Sequence, residues 1–226
     1  MKKSIKSKII IILISVVSIF VVAIVALLAV HSQLKQKIPH PDSAADIWNK
    51  KAIDSAVTLL HSGYMVLRMG RGADSYMLAQ LNQKDKSFSH CGIVFIENGY
   101  PFVYHCIGGE DNPDERLRRD SACFFFSQVH NLAMAVVNFE FSDAQTQRLK
   151  SIVYDYYKKR PKFDLQFDLK TDDKLYCAEF VYKAINQAVD DTAYIQTTTL
   201  MGCTFVGIDN LFLNQHAHII WQTKFK

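Results

Sequence analysis

The chain has 226 residues, of which 49% are hydrophobic and 21% charged. This balance is typical of a folded protein and excludes a chain that is disordered or fibrous throughout. The net charge of +4 arises near the amino terminus, where six lysines and no acidic residue lie before residue 38. Residues 38–226 contain the remaining 20 of the 26 Lys and Arg together with all 22 Asp and Glu. This part of the chain therefore has no general positive charge that would favour nucleic-acid binding.

Residues 9–30 form an uncharged, largely apolar run. As a helix rising about 1.5 Å per residue, this run is about 33 Å long and can cross a bilayer core of about 30 Å. We therefore expect one uncleaved transmembrane anchor. A cleaved signal peptide is the alternative, although its apolar region is usually only about 7–15 residues long.

Lysine positions predict the orientation of this anchor. Four lysines lie within residues 1–8, and only Lys35 and Lys37 follow the run closely. The basic tail at 1–8 is therefore expected in the cytoplasm, with the remainder extracytoplasmic, which in a Gram-negative bacterium is the periplasm. Residues 31–45, which include Pro39 and Pro41, indicate a linker, and residues 46–226 are expected to form one domain.

Hydrophobic periodicity predicts a mixture of helices and strands, and the sequence contains no internal repeat. Asn98-Gly99, between two apolar runs, is a strong signal for a β-hairpin. The expected helices cover residues 45–62, a segment ending at 81, 142–157 with Ser142 as N-cap, and 173–188. The expected strands cover residues 64–67, 92–96, 101–106, 132–141 and 217–221, with a polar loop at 111–120. This mixture predicts an α+β fold in which an antiparallel sheet packs against helices.

Cys177 is the strongest candidate nucleophile. It lies near the start of the helix predicted at 173–188, where the helix dipole favours a thiolate. The alternative is a buried cysteine on the apolar stripe of that helix.

The hairpin brings two histidines together. A two-residue turn at 98–99 places Gly92 opposite His105 and puts His90 on the same face, with space expected beside the glycine. One imidazole then serves as general base and the other orients it, the alternative being two histidines satisfied by backbone carbonyls. On the other face, Cys91 and Cys106 lie opposite each other, either as a disulfide or as reduced thiols.

Metal and cofactor binding have weak support in the sequence. His216 and His218 form an H-x-H pair, but no C-x-x-C or H-E-x-x-H motif accompanies them. We therefore expect no cofactor and no metal.

Five short segments together resemble a known family. They are GYMVLR at 63–68, FSHCGIV at 88–94, PFVYH at 101–105, FDLQF at 163–167 and LYCAEFVY at 175–182. Their order and spacing resemble the YiiX/YaeF-like proteins, circularly permuted papain-like cysteine hydrolases of the NlpC superfamily, over roughly residues 60–190. This resemblance implies that Cys177 is the nucleophile, His90 the base and His105 the third polar residue. With a histidine at this third position, the chain also resembles the lecithin:retinol acyltransferase group.

Two positions depart from the resembled pattern. Tyr64 stands where the family usually has Asp, and Tyr176 precedes the cysteine where murein-cutting relatives have D-C-S-G. Together with Arg68, Arg71 and Glu179, these tyrosines are candidate substrate contacts, the two arginines for a carboxylate or an anionic headgroup.

The sequence thus predicts a membrane-anchored thiol hydrolase that cleaves an amide bond, such as one in a cell-wall peptide. The partners implied are a peptide, amide or lipid-like substrate and the membrane, with no nucleic acid. The alternatives are a lipid-directed acyltransferase or esterase using the same residues, and a non-catalytic binding module of the same fold.

Overall fold

The computed structural model describes residues 21–22, 24–25, 38–109 and 112–226. The chain divides into two units, residues 1–37 and 38–226. The four described residues of the first unit are helical and exposed. The predicted tail at 1–8 and most of the predicted anchor at 9–30 lie outside the described residues. Among the residues that are described, no helix is long and apolar enough to cross a membrane.

Antiparallel strands form the centre of the second unit. The described strands are β1 (Met65–Gly70), β2 (His90–Glu97), β3 (Tyr100–His105), β4 (Arg118–Ser121), β5 (Asn131–Asn138), β6 (Thr198–Leu200), β7 (Cys203–Phe205) and β8 (His218–Lys224). Six of them form one sheet in the order β4-β3-β2-β1-β5-β8, and β6 pairs with β7 alone. The short strand β4 is therefore one edge of the main sheet.

Helices pack on the sheet, so the predicted α+β class is confirmed. The helices in the described part of 38–226 are α1 (Ala44–Thr58), α2 (Ala73–Ala79), α3 (Ala122–Phe125), α4 (Asp143–Lys159), α5 (Cys177–Val189) and α6 (Ile208–Phe212). The N-cap prediction for α4 is confirmed, because the Ser142 hydroxyl accepts from the Gln145 N–H and the Gln145 side chain accepts from the Ser142 N–H.

The start of α1 corrects the predicted domain boundary at 45/46. The Ser43 hydroxyl accepts from the Asp46 N–H at 3.2 Å and caps a helix that begins at Ala44. Asp46 itself is buried and belongs to the packed domain. The end of the predicted linker at 31–45 is therefore already helical, and the compact unit begins at residue 38.

Both faces of the sheet are buried. One face packs on α4 and α5 through Leu67, Ile93, Phe95 and Phe180, and the other packs on α1 and α3 through a cluster that includes Val66, Val94, Val103 and Phe125. Burial on both faces explains why β2 is an almost continuous apolar run. Each fully buried large apolar side chain contributes about 1.5–3 kcal/mol to folding.

The register of the β2–β3 hairpin is as predicted. Ile93 pairs with Tyr104 and Glu97 with Tyr100. Asn98 and Gly99 have φ values of 51° and 83°, as a two-residue turn of this hand requires. The polar loop predicted at 111–120 is wrong at its end, because β4 starts at Arg118. That strand has no large apolar residue by which a hydrophobic pattern could reveal it.

Candidate active site

Cys177 is the first residue of α5. The predicted helix at 173–188 starts later than expected because the preceding segment pairs with another part of the chain. The Leu175 N–H donates to the Lys162 carbonyl at 2.8 Å, and the Asp164 N–H donates to the Leu175 carbonyl at 3.3 Å. This pairing holds the chain extended up to Tyr176 and leaves Cys177 at the positive end of the helix dipole.

Local contacts shift the pKa of the Cys177 thiol downwards. Its contact with the Cys91 side chain is the largest cause, and the backbone N–H groups of Cys91 and Ala178 and the charge of Arg68 act in the same direction against burial. Burial instead raises the pKa of Cys91 and Cys106. All five cysteines are unpaired thiols, so the cross-strand disulfide considered for Cys91 and Cys106 is not formed. Cys177 is thus the buried cysteine best suited to become a thiolate.

Two imidazoles and a carboxylate form a hydrogen-bonded chain, which we call the relay. His90 Nε2 lies 2.8 Å from His105 Nδ1, and His105 Nε2 lies 3.0 Å from Asp120 Oδ2. Both histidines are buried, and their rings pack against the ring of Phe125. The predicted pairing of His90 with His105 is confirmed in geometry. Each ring orients its neighbour as expected of a base and its partner.

Gly92 makes this close approach of β2 and β3 possible. A Cβ atom added at this position would lie 2.5 Å from Val103 Cγ1, 2.9 Å from the Tyr104 carbonyl oxygen and 3.0 Å from His105 Cβ. The space expected beside the glycine is therefore filled by its neighbours. A side chain at residue 92 would push the two strands, and with them the two imidazoles, apart.

The ionisation of the relay follows from its surroundings. Burial, followed by the charges of Arg68, His105 and Arg118, holds the pKa of His90 well below 6.5. Burial also lowers the pKa of His105, to about 4, although Asp120 opposes the shift. Burial alone would raise the pKa of Asp120, but the hydrogen bond from His105 and the charge of Arg118 outweigh it and lower that pKa. At neutral pH the relay therefore holds two neutral imidazoles and one carboxylate.

These charges fix the positions of the protons. Because the carboxylate of Asp120 can only accept, His105 donates its Nε2–H to Asp120 and must accept at Nδ1. His90 then donates its Nε2–H to His105, which leaves His90 Nδ1 without a proton. His90 Nδ1 is therefore the free lone pair of the relay and the candidate base.

The side chain of His90, the first residue of β2, and the Cys177 thiol lie on different faces of that strand. Side chains alternate along a strand, so His90 shares the face of Val94 and Phe125, while Cys91 faces α5 and the Cys177 thiol. Among the described residues, no hydrogen bond joins Cys177 to His90. The structure thus places the predicted nucleophile beside the residue that follows the predicted base, at the amino end of β2.

Arg68 lies across from His90, since the two are paired residues of β1 and β2. Its guanidinium lies over the ring of Phe125, 4.9 Å from the centroid, and contacts Asn131 Oδ1 at 3.4 Å. Arg68 and Arg71 together line a cavity of about 380 Å³. Arg68 also lines an adjoining cavity of about 80 Å³, whose other walls include His105 and Asp120. Of the predicted substrate contacts, these two arginines are the ones that lie on cavities next to the relay.

Tyr64 lies away from this region. It precedes the opposite end of β1, four residues from Arg68 and therefore about 13 Å along the strand. Its ring packs edge-to-face on His61 at 5.3 Å.

Tyr176 and Glu179 have internal contacts. The buried Tyr176 hydroxyl accepts from the Val206 N–H at 2.8 Å, and the Tyr176 N–H donates to Glu179 Oε2 at 3.3 Å. Burial raises the pKa of Glu179 to about 7, while Lys183, 2.9 Å away, limits the rise. These contacts hold both residues at the start of α5, and their role in substrate binding stays a prediction.

Sequence reasoning missed Asp120, the residue that ends the relay. Asp120 pairs with Val103 in the edge strand β4, and this pairing brings its carboxylate to His105. Two weak signals were available in the sequence. Asp120 lies two residues after Arg118, as residues on one face of a strand do, and it directly precedes Ser121, the N-cap of α3.

The described residues contain no group of three His, Cys, Asp or Glu side chains that could hold a metal ion. His216 stacks on the ring of Tyr194 at 4.0 Å, and His218 is exposed on β8. The two imidazoles of the H-x-H pair therefore have different surroundings.

Comparisons with known proteins support the fold. The chain is similar to the metalloprotein YiiX from Escherichia coli O157:H7, DUF1105, with a TM-score of 0.59 and 19% sequence identity, over 73% of this chain and 98% of YiiX. No family model and no curated protein matches the sequence. The chain therefore has a YiiX-like α+β fold, as the sequence motifs predicted. At this identity the comparison carries the fold and no activity.

Proposed function

We propose that this protein is a thiol hydrolase in which Cys177 is the nucleophile and His90 the base. The observation that carries the proposal is the relay from His90 through His105 to Asp120, which leaves His90 Nδ1 unprotonated one residue from Cys91. The backbone N–H of Cys91 contacts the Cys177 thiol. A lone pair with its orienting groups and a helix-start thiol thus lie at the same end of β2, on its two faces.

The chemical steps balance within this set of residues. As the sulfur attacks a substrate carbonyl, the thiol proton passes to His90 Nδ1, and the resulting imidazolium is stabilised through His105 by the Asp120 carboxylate. The imidazolium then protonates the leaving amine as the C–N bond breaks. Water attacks the thioester and returns the enzyme to its thiol form. The Cys177 N–H, at the first position of α5, is available to the oxyanion.

Proton transfer requires His90 Nδ1 and the Cys177 sulfur to come into contact. We propose that substrate binding is accompanied by a local rearrangement at the amino end of β2 that brings them together, because the two side chains lie on different faces of the strand without substrate. Both groups are buried, with 7% of each residue exposed. A substrate carbonyl therefore reaches the sulfur only after the site opens.

Amide bonds, such as those of cell-wall peptides, are the proposed substrates. A lipid-directed acyltransferase or esterase that uses the same three residues is the alternative. It is supported by the imidazole of His105, which stands where YiiX-like relatives often have a carboxylate. Membrane anchoring by residues 9–30, with the domain extracytoplasmic, belongs to the same proposal. A binding module of the same fold is the non-catalytic alternative.

A resident metal is not part of this proposal, although YiiX is described as a metalloprotein. In the relay, the ring nitrogens and carboxylate oxygen are joined in series by hydrogen bonds and do not converge on one point. The described donor set therefore does not fit a metal ion, and no step is assigned to one.

Trapping an acyl-enzyme tests the proposal. The full-length protein is treated with p-nitrophenyl acetate, and the acetylated residue is located by mass spectrometry. We expect acetyl-Cys177 in the wild type, a strong reduction in His90→Gln and none in Cys177→Ala, with Cys123→Ala as the matched control that keeps the adduct. Failure to acetylate Cys177 in the wild type would favour the binding module. Release of amines from peptides or of fatty acids from lipids would then separate the two hydrolase classes.

A further inference from the structure

Two basic stretches of the chain lie side by side at the β4 edge of the sheet. The residues RLRR at 116–119 lead into β4, and KKRPK at 158–162 follows at the end of α4. Arg116 forms a β-bridge with Lys162, and the Leu117 N–H donates to the Pro161 carbonyl at 3.2 Å. Backbone hydrogen bonds therefore fix in contact two stretches that are far apart in the sequence.

Between these stretches lies a groove of about 440 Å³, which we call the basic groove. Five cationic side chains line it, and Asp114 is the acidic residue among its described walls. These cations are Arg116, Arg118, Arg119, Lys158 and Arg160. Because residues 38–226 contain fewer Lys and Arg than Asp and Glu, this concentration of positive charge is local and not a reflection of composition.

Three of the five cations have a carboxylate partner. Arg160 contacts Asp114 at 2.7 Å, but both side chains are more than half exposed, so this pair is screened and readily exchanged. Arg118 contacts Asp120 at 3.0 Å, and Arg119 pairs with Glu97.

The other two cations have no carboxylate partner among the described residues. The Arg116 guanidinium donates to the Arg160 carbonyl at 2.7 Å, a contact that does not neutralise its charge. Lys158 is exposed at the end of α4 and forms no ion pair with a described residue. Counting described residues alone, the five positive charges of the groove are paired with three carboxylates.

We propose that the basic groove binds a phosphate-bearing ligand. Planar guanidinium groups match phosphate oxygens in pairs, and several cations around one concave space favour a compact anion with more than one negative charge. Arg118 connects the groove to the relay, since it pairs with Asp120, which accepts from His105. Arg118 lines both the basic groove and the cavity beside His105 and Asp120, so a phosphate seated in the groove shares this arginine with the relay. This inference does not depend on Cys177 being a nucleophile.

The test is isothermal titration calorimetry of the full-length protein in detergent with two probes. Pyrophosphate represents soluble phosphate, and glycerol 3-phosphate, a phosphate monoester with a second ionisable proton, represents the headgroup of an anionic lipid. The double variant Arg116→Gln/Lys158→Gln removes the two cations without a carboxylate partner. The double variant Lys51→Gln/Lys84→Gln removes two exposed lysines outside the groove and is the charge-matched control.

We expect at least about tenfold weaker binding in the groove variant and less than about twofold change in the control. Tighter binding of pyrophosphate would identify a soluble polyanion as the ligand class, and tighter binding of glycerol 3-phosphate would identify a lipid headgroup. Absence of binding by both probes, or equal weakening in both double variants, would overturn the proposal. Acetylation of Cys177 is measured separately, so failure of this inference and failure of the hydrolase proposal remain distinguishable.

Discussion

Lowering the pH should destabilise the fold through the relay. The pKa of His105 is lowered by burial to about 4 in the folded protein, whereas an unfolded histidine has a pKa of about 6.5. Between these values the unfolded chain binds a proton at this position and the folded protein does not. The contribution of His105 to the free energy of unfolding is therefore fully present above about pH 6.5 and is lost as the pH falls towards 4. His90, whose pKa is also lowered by burial, acts in the same direction.

The size of the effect follows from the difference in pKa. About 2.5 pKa units correspond to about 3 kcal/mol in full, of which about 2 kcal/mol is lost between about pH 7 and pH 4.5. Glu179 acts in the opposite direction, because its pKa is raised by burial to about 7 and its protonation stabilises the folded state in the same range. The wild-type pH profile alone therefore mixes the two effects.

Comparison of variants isolates the histidine. Urea unfolding is followed at both pH values by the fluorescence of Trp48 and Trp221, which pack against the apolar cluster on the α1 face of the sheet. We expect His105→Gln to lose about 2 kcal/mol less than the wild type on acidification, while His218→Gln, at an exposed position on β8, behaves as the wild type. Equal losses in wild type and His105→Gln would refute the reasoning. If the variant does not fold, NMR titration of the wild-type His105 ring provides the same test, and a midpoint near pH 6.5 would refute it.

Three further substitutions test the site. Gly92→Ala places a methyl group 2.5 Å from Val103 Cγ1, so we expect a loss of about 1–3 kcal/mol in urea unfolding, and an unchanged midpoint would show that β2 and β3 adjust freely. Asp120→Asn removes the charge that orients the relay and should slow Cys177 acetylation about 100-fold or more, whereas an unaltered rate would remove Asp120 from the mechanism. Tyr176→Phe leaves the buried Val206 N–H without its acceptor and should cost about 1–3 kcal/mol of stability without changing acetylation, while a slowed acetylation would place this residue in the substrate site.

Much of the site could be predicted because it depends on local geometry. The Asn98-Gly99 turn determines the register of β2 and β3, and that register brings His90 and His105 together. Cys177 at the start of a helix follows from an apolar stripe with helical spacing.

Other features depend on contacts between distant parts of the chain. Asp120 reaches His105 only because a strand without large apolar residues pairs at the sheet edge. Cys177 lies beside Cys91 because α5 packs on one particular face of the sheet. The hydrophobic pattern of β2 cannot predict which face this is, because both faces are buried. The basic groove likewise requires two stretches, at 116–119 and 158–162, that only the fold brings together.

The most direct test of the central claim is the rate of alkylation of Cys177 by iodoacetamide across pH. Rates are measured by mass spectrometry on full-length wild type and His90→Gln, with the exposed Cys123 as internal reference. We predict that Cys177 reacts faster than Cys123 below about pH 7 in the wild type and loses this advantage in the variant. A Cys177 that reacts more slowly than Cys123 at every pH, or equally fast in wild type and His90→Gln, would contradict the account.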